Sequence, residues 1–280
     1  MMELSQFNID RTHPGRWTIT FNNPPINMFV PTTIVELGAL VTGLEEDPSV
    51  KVAVFQSANP DFFIAHLDVA KAAAQPGVLD LWRDFVLRLS STAIVSIAKI
   101  RGRTRGIGNE FVLACDMRFA SRQNALFGNP EVGVGLIPGG GALEWLPRLV
   151  GRSRALEIVL GADDFDADIA ERYGWVNRTL DDDDLDSFVD TLVRRLASFD
   201  REVLAAAKAQ INRFGTPTAT EPQSSNDMIF PMLTLPAAQA RRAKIRNIGY
   251  GVPSDFELNF GRYLPSFGQA DEDSTHMQRA

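Results

Sequence analysis

Trp17-Thr-Ile-Thr-Phe21 alternates apolar and polar side chains as a half-buried strand does. The Asn22-Asn-Pro-Pro25 that follows ends it, because proline has no N–H to give to a ladder. From Thr32 the apolar positions Ile34, Val35, Leu37, Leu40, Val41 and Leu44 fall close to helical spacing, and Asp47-Pro48 closes the segment. Lys51-Val-Ala-Val-Phe-Gln56 predicts a second strand, with the turn cluster Ser57-Ala-Asn-Pro-Asp61 behind it. A helix is expected around Val78 to Leu89 and a strand over Ile94 to Ile100, so the order is strand, helix, strand, helix, strand. Such alternation predicts an α/β domain whose sheet edges deliver loops to a common site.

Farther along, Met117-Arg-Phe-Ala120 and Ala125-Leu-Phe127 read as short strands, and Gly139-Gly-Gly141 precedes a short helix carrying Leu143, Leu146, Leu149 and Val150. From about residue 182 the pattern is helical: Leu185, Phe188, Val189, Leu192, Val193 and Leu196 form one stripe, followed by Val203, Leu204, Ala207 and Ile211. The acids Asp181 to Asp184 stand just ahead of that stripe, where they complement the positive end of a helix dipole better than they serve a metal. The expected division is a core over residues 1–200, a helical C-terminal oligomerisation region over 201–268, and a loose polar tail over 269–280.

Composition narrows the function. The chain has 280 residues, 45% of them hydrophobic, enough to bury a real core. A formal net charge of −7 gives no overall attraction to phosphate backbones or anionic lipid, so neither nucleic acid nor a membrane is an expected partner. The local basic run Arg241-Arg-Ala-Lys-Ile-Arg246 reads first as a solvated helix face and second as a site for an anionic ligand. A single cysteine, Cys115, sits in an apolar run and reads as a packing thiol. The N-terminus carries no apolar leader-like run and nothing is long enough to span a bilayer, so a cytoplasmic location is expected and the sequon Asn177-Arg-Thr179 is a coincidence.

Phosphate-loop and dinucleotide signatures fail. Gly106-Ile-Gly-Asn-Glu-Phe111 has phenylalanine where a third glycine is needed, and no Gly-Lys-Ser/Thr occurs. With only His13, His66 and His276, a serine triad or histidine metal site would have to be built around His66. Carboxylates are better candidates: Glu110 and Glu131 each follow a glycine-bearing turn, although from spacing alone a glutamate in the first turn of a helix is most often a cap.

The run Ala125-Leu-Phe-Gly-Asn-Pro-Glu-Val-Gly-Val-Gly-Leu-Ile-Pro-Gly-Gly-Gly141, with Leu146-Pro-Arg-Leu-Val-Gly-Arg152 after it, closely resembles the crotonase (enoyl-CoA hydratase/isomerase) superfamily. The resemblance extends to Gly108-Asn-Glu-Phe-Val-Leu-Ala-Cys-Asp-Met-Arg118, Phe63-Ile-Ala-His-Leu-Asp68, Asn23-Pro-Pro-Ile-Asn27 and Gly174-Trp-Val-Asn-Arg178, covering roughly residues 15–215. It implies a fold of stacked ββα units with a helical C-terminal region, assembled as a homotrimer or homohexamer. It implies an acyl-CoA thioester as ligand, with coenzyme A entering only as part of the substrate and no metal or other cofactor. It implies an oxyanion hole made of the main-chain N–H groups of Leu67 and Ile107, which stabilise a thioester enolate. Glu110 and Glu131 fall on the two hydratase glutamates: Glu110 would take a proton from the attacking water and Glu131 would give one to the α-carbon. Ala65, His66, Asp68, Gly106, Gly108, Pro130 and Gly139 are the expected substrate contacts.

Two departures bear on that expectation. His66 and Ile107 stand where the family carries glycine, and a β-branched residue there is strained unless its φ is negative. Arg101, Arg103 and Arg105 occupy a strip that is usually small or apolar; they are expected to face solvent, with pairing to surface acids or to a CoA phosphate as alternatives. Hydration of a 2-enoyl-CoA is the leading function. Double-bond migration or hydrolysis on the same fold is the alternative, and a silent acyl-CoA binder, with both glutamates as caps, is the third.

Overall fold

The structure is a computed structural model and describes residues 4–246 and 248–268. The polar tail expected over 269–280 lies outside the described residues. The chain opens with a hairpin, β1 (Phe7–Asp10) and β2 (Arg16–Phe21), then α1 (Pro31–Glu46). Three strand-strand-helix passages follow. The first is β3 (Val52–Ser57), β4 (Phe62–Ile64), α2 (Val69–Ala73) and α3 (Val78–Ser91). The second is β5 (Val95–Ile100), β6 (Arg103–Arg105) and α4 (Ile107–Ala114). The third is β7 (Met117–Ser121) and β8 (Leu126–Gly128), a 3-10 turn at Val132–Val134, then α5 (Ala142–Val150) and α6 (Arg152–Gly161).

In each passage the first strand joins one sheet and the second joins another. The larger sheet has the order β1-β2-β3-β5-β7-β10 and the smaller the order β4-β6-β8-β9, with β9 (Asp164–Asp166), α7 (Ala167–Tyr173) and β10 (Arg178–Leu180) completing them. Pairing is parallel between β2, β3, β5, β7 and β10 and antiparallel at β1–β2 and β8–β9. This is the stacked ββα arrangement that the resemblance implies.

The large sheet is covered on both faces, which is why its central strands read as nearly continuous apolar runs. Ala53 and Phe55 of β3 enter the main core with α1, α3 and α4. Val52 and Val54 turn the other way, against Leu185, Val189 and Val193 of α8 (Asp182–Ala197). The acids Asp182, Asp183 and Asp184 occupy the first turn of α8, as the sequence suggests.

Among the described residues, four further helices follow α9 (Arg201–Gly215): α10 (Glu221–Leu233), α11 (Pro236–Arg246), α12 (Asp255–Leu258) and α13 (Phe260–Tyr263). α10 packs on α3 and α5, α11 on the turn at Val132–Val134, and α12 and α13 on the smaller sheet. Arg103 and Arg105 hold α12 there. Arg103 Nε donates to the carbonyl of Leu258 at 2.7 Å, and Arg105, wholly buried, donates from Nη1 to the carbonyl of Glu257 at 2.6 Å while its Nε and Nη2 clasp the Asp164 carboxylate. Arg101 pairs with Asp182 and Asp186 of α8. The strip expected to face solvent is therefore taken up by protein acceptors, because packing α12 and α8 against β5 and β6 brings carbonyls and carboxylates to it. Cys115 is buried, as expected, and burial pushes its thiol up.

Candidate active site

The loops between the small sheet and its helices enclose a cavity of about 80 Å³. Leu67, Gly106, Ile107, Glu110, Glu131 and Gly140 line it, together with the apolar side chains of Trp82, Leu136, Ile229, Tyr250 and Phe260. Its surface is mainly apolar, so charge inside it is poorly screened. Of the remaining expected contacts, His66, Pro130 and Gly139 line the cavity. Ala65, Asp68 and Gly108 do not. Ala65 is packed into a small cluster with Ile26 and Phe62, Asp68 caps α2 through the Lys71 N–H, and Gly108 lies so close to Ile64 that a Cβ would stand 2.6 Å from that side chain's Cβ.

Local hydrogen bonds aim two main-chain N–H groups. The carbonyl of His66 accepts from Phe29 N at 2.9 Å. In a trans peptide C=O and N–H point opposite ways, so the Leu67 N–H is turned from Phe29. Likewise the Gly106 carbonyl accepts from Glu110 N at 3.0 Å, along the axis of α4, and the Ile107 N–H points out of the helix start. Among the described residues neither N–H has a protein acceptor. Asn27 and Ala162 are the only described non-glycine residues with positive φ. Ile107 is thus unstrained, and the left-handed turn falls on Gly106, at φ 54°.

Glu110 is placed by α4, whose neighbour Phe111 stacks on Phe85 of α3 with ring centroids 5.9 Å apart. Its Oε1 accepts from Gly140 N at 2.7 Å and Ala142 N at 3.3 Å, the amides at the start of α5. Glu131 stands where β8 gives way to the 3-10 turn, so close to Gly106 that a Cβ there would meet its Oε1 at 2.8 Å.

A buried amide chain orients Glu131. The indole Nε1–H of Trp175, which can only donate, bonds Asn109 Oδ1 at 2.8 Å. That leaves Asn109 Nδ2 to donate to Asn129 Oδ1 at 2.6 Å, and Asn129 Nδ2 to donate to Glu131 Oε2 at 3.3 Å. Sequence reasoning missed this chain. Its signals, Asn109, Asn129 and Trp175, were each visible, but residues so far apart in the chain show no common periodicity.

Burial pushes Glu110 up to about 8, helped by the neighbouring Glu131 charge and opposed by the Gly140 and Ala142 N–H groups. Burial pushes Glu131 up to about 7, opposed by its own main-chain N–H, by Asn129 and by His66. The two titrate as a pair that keeps a proton near neutrality. Because both values lie above the ordinary carboxylate range, the folded state binds more protons than the unfolded chain between about pH 4.5 and 8. Their contribution is fully present below that window and is lost as pH rises through it. Glu110→Gln, which keeps the acceptor for both amides and cannot ionise, should therefore raise stability by several kcal/mol at pH 8.5 and by under about 1 kcal/mol at pH 5. Denaturant melts at the two pH values check this; an equal effect at both contradicts it.

The family model for enoyl-CoA hydratase/isomerase matches residues 13–239. The chain belongs to the enoyl-CoA hydratase/isomerase family. A crotonyl-CoA hydratase of Syntrophomonas wolfei is 32% identical over 212 residues, 73% of this chain and 81% of that one. A short-chain-enoyl-CoA hydratase of Clostridium acetobutylicum is 29% identical, over 70% of this chain and 77% of that one. A solved structure from Streptomyces avermitilis, provisionally assigned as an enoyl-CoA hydratase, superposes with a TM-score of 0.88 at 41% identity, covering 95% of this chain and 98% of that one. Within this family, His66 and its partner Glu257 on α12, at 2.9 Å, are a feature that the sequence pattern did not reveal.

Proposed function

We propose that the protein is a lyase that adds water across the 2,3 double bond of a short 2-enoyl-CoA. The carrying observation is that two carboxyls, both pushed above the ordinary carboxylate range, and two unpartnered main-chain N–H groups line one small apolar cavity. The thioester oxygen sits between the N–H groups of Leu67 and Ile107, which bind it more strongly as it gains charge. Water held at Glu110 gives that carboxylate a proton while its oxygen bonds to C3; the C2–C3 π pair moves toward the carbonyl as an enolate, and Glu131 protonates C2. The N–H groups of Gly140 and Ala142 hold the Glu110 carboxyl in place for the accepting role, as Asn129 Nδ2 holds Glu131 for the donating one.

The cavity's size favours a short acyl chain, since a 150 Å³ apolar cavity is filled by benzene and this one is about 80 Å³. A groove of about 230 Å³ shares Val69, Val134, Leu136 and Tyr250 with it and carries Arg242 and Arg246. Those cations suit the phosphates of a CoA, and Arg242 Nη1 is buried without a partner among the described residues. No cofactor beyond the CoA of the substrate is required. The same reading places the enzyme in the cytoplasm as a homotrimer or homohexamer, in which exposed Val203, Ile211 and Phe214 on α9 meet another copy. The core over 1–200 and the C-terminal region over 201–268 remain its division.

Incubation with crotonyl-CoA in heavy-oxygen water tests the reaction. Label in the 3-hydroxyacyl product is the expected result. Double-bond migration without label identifies an isomerase, release of free CoA a hydrolase, and binding without turnover a silent binder; each overturns hydration.

A further inference from the structure

We propose that Glu257 is a positioning residue that ties the two oxyanion-binding N–H groups into one frame: its carboxylate fixes the His66–Leu67 segment, and its main-chain carbonyl fixes Arg105, next to Gly106–Ile107. The proposal rests on the reading of those groups as an oxyanion hole.

His66 is engaged through both ring nitrogens, so it has no free nitrogen to offer a substrate. Nε2 faces Glu257 Oε1 at 2.9 Å and Nδ1 faces the Leu67 carbonyl at 3.2 Å. The ring is stacked on Tyr250, centroids 4.5 Å apart at 16°, with Phe260 on another side at 5.8 Å. The Tyr250 hydroxyl adds a bond to the same Leu67 carbonyl at 3.4 Å. Leu67 is thus gripped through its own carbonyl, and the peptide that carries its N–H is gripped through the Phe29 bond to His66. Every other holder of this carbonyl comes from the C-terminal segment or is itself held by it.

Glu257 is fully buried. Its Oε1 also accepts from Gly251 N at 2.7 Å, and its own N–H is capped by Ser254 Oγ at 3.2 Å, so the carboxylate is fixed relative to α12. Burial alone would push this carboxyl up, but His66 beside it and the Gly251 N–H bring it below its ordinary value. On the opposite side of the residue, Arg105 Nη1 bonds the Glu257 carbonyl at 2.6 Å. Arg105 directly precedes Gly106, whose peptide with Ile107 carries the second donor. The circuit therefore runs from Leu67 through His66, Glu257 and Arg105 to Ile107. A hole formed by two separate loops needs such a link, because a donor misaimed by about 1 Å loses most of its advantage for the transition state.

The test reads carbonyl polarisation apart from turnover. Butyryl-CoA labelled with carbon-13 at the thioester carbonyl is bound to the enzyme and its carbonyl stretch is recorded by difference infrared spectroscopy, with crotonyl-CoA kinetics in parallel. The wild type should lower the stretch. Glu257→Ala and Arg105→Lys should return it toward the solution position and cut kcat by about 10- to 100-fold with KM within about threefold. Glu257→Gln keeps the acceptor for His66 and Gly251, so it should restore the shift and most of kcat; it also serves as the variant that keeps the packing. Loss of the shift in Glu257→Ala with rescue by Gln supports the proposal. An unchanged stretch and kcat in Glu257→Ala overturns it, as does a Gln variant no better than Ala. If the wild-type enzyme itself leaves the stretch unshifted, the oxyanion reading fails, and the positioning role with it.

Discussion

Glu110→Gln and Glu131→Gln should each slow crotonyl-CoA hydration by about 10²- to 10⁴-fold while leaving acyl-CoA affinity within a few-fold. Glutamine preserves the acceptor that Gly140 N and Ala142 N require, so the Glu110 variant keeps its local fold and loses only the capacity to hold a proton. At position 131 the same change keeps an acceptor for Asn129 Nδ2. Neither carboxyl is needed to bind the thioester oxygen, which falls to main-chain N–H groups, so the loss belongs to kcat rather than to KM. Steady-state kinetics with product-inhibition constants check the split. Retention of near-normal kcat in either variant removes that residue from the mechanism.

Gly140→Ala should cost about 10²-fold in kcat although it removes no acid and no donor. A Cβ at this position would lie 2.2 Å from both Glu110 Oε2 and Trp82 Nε1, far inside contact distance. Neither neighbour can yield freely. Glu110 is held by the amides on either side of the turn, and Trp82, 1% exposed, bonds the Gly140 carbonyl at 3.1 Å and packs on Phe29 and Phe85. The carboxyl must shift, and overpacking should destabilise the fold by roughly 1–3 kcal/mol as well. Gly161→Ala is the control, since nothing lies within 4 Å of its added Cβ. Equal kcat in the two alanine variants would show that the position of the Glu110 carboxyl does not matter to the rate.

Much of the fold was legible because its central strands and amphipathic helices carry the periodicity that burial imposes. Trp17–Phe21 alternates because β2 has one face in the core and its other face half-buried, while Val52–Phe55 does not alternate because β3 is covered on both. Glu110 and Glu131 were found through the motif around them, and the structure places both on the cavity wall. Ala65 and Gly108 share those motifs but pack in the scaffold around it, and Asp68 caps α2 on the edge of the adjoining groove, a distinction that sequence spacing does not carry. In the arginine strip Arg101 pairs with acids, one of the readings the sequence allows, while Arg103 and Arg105 turn to the carbonyls of residues 257 and 258 and to Asp164, all too distant in the chain to leave a local pattern. The His66–Glu257 pair spans 191 positions and leaves no local pattern at either end.

The most direct measurement is a crystal structure of the enzyme with a bound, unreactive acyl-CoA such as butyryl-CoA. The account predicts the thioester oxygen within about 3 Å of both Leu67 N and Ile107 N, with the Glu110 and Glu131 carboxyls beside C3 and C2. A thioester oxygen bonded to neither nitrogen, or an acyl chain lying outside the cavity that holds the two carboxyls, would contradict it.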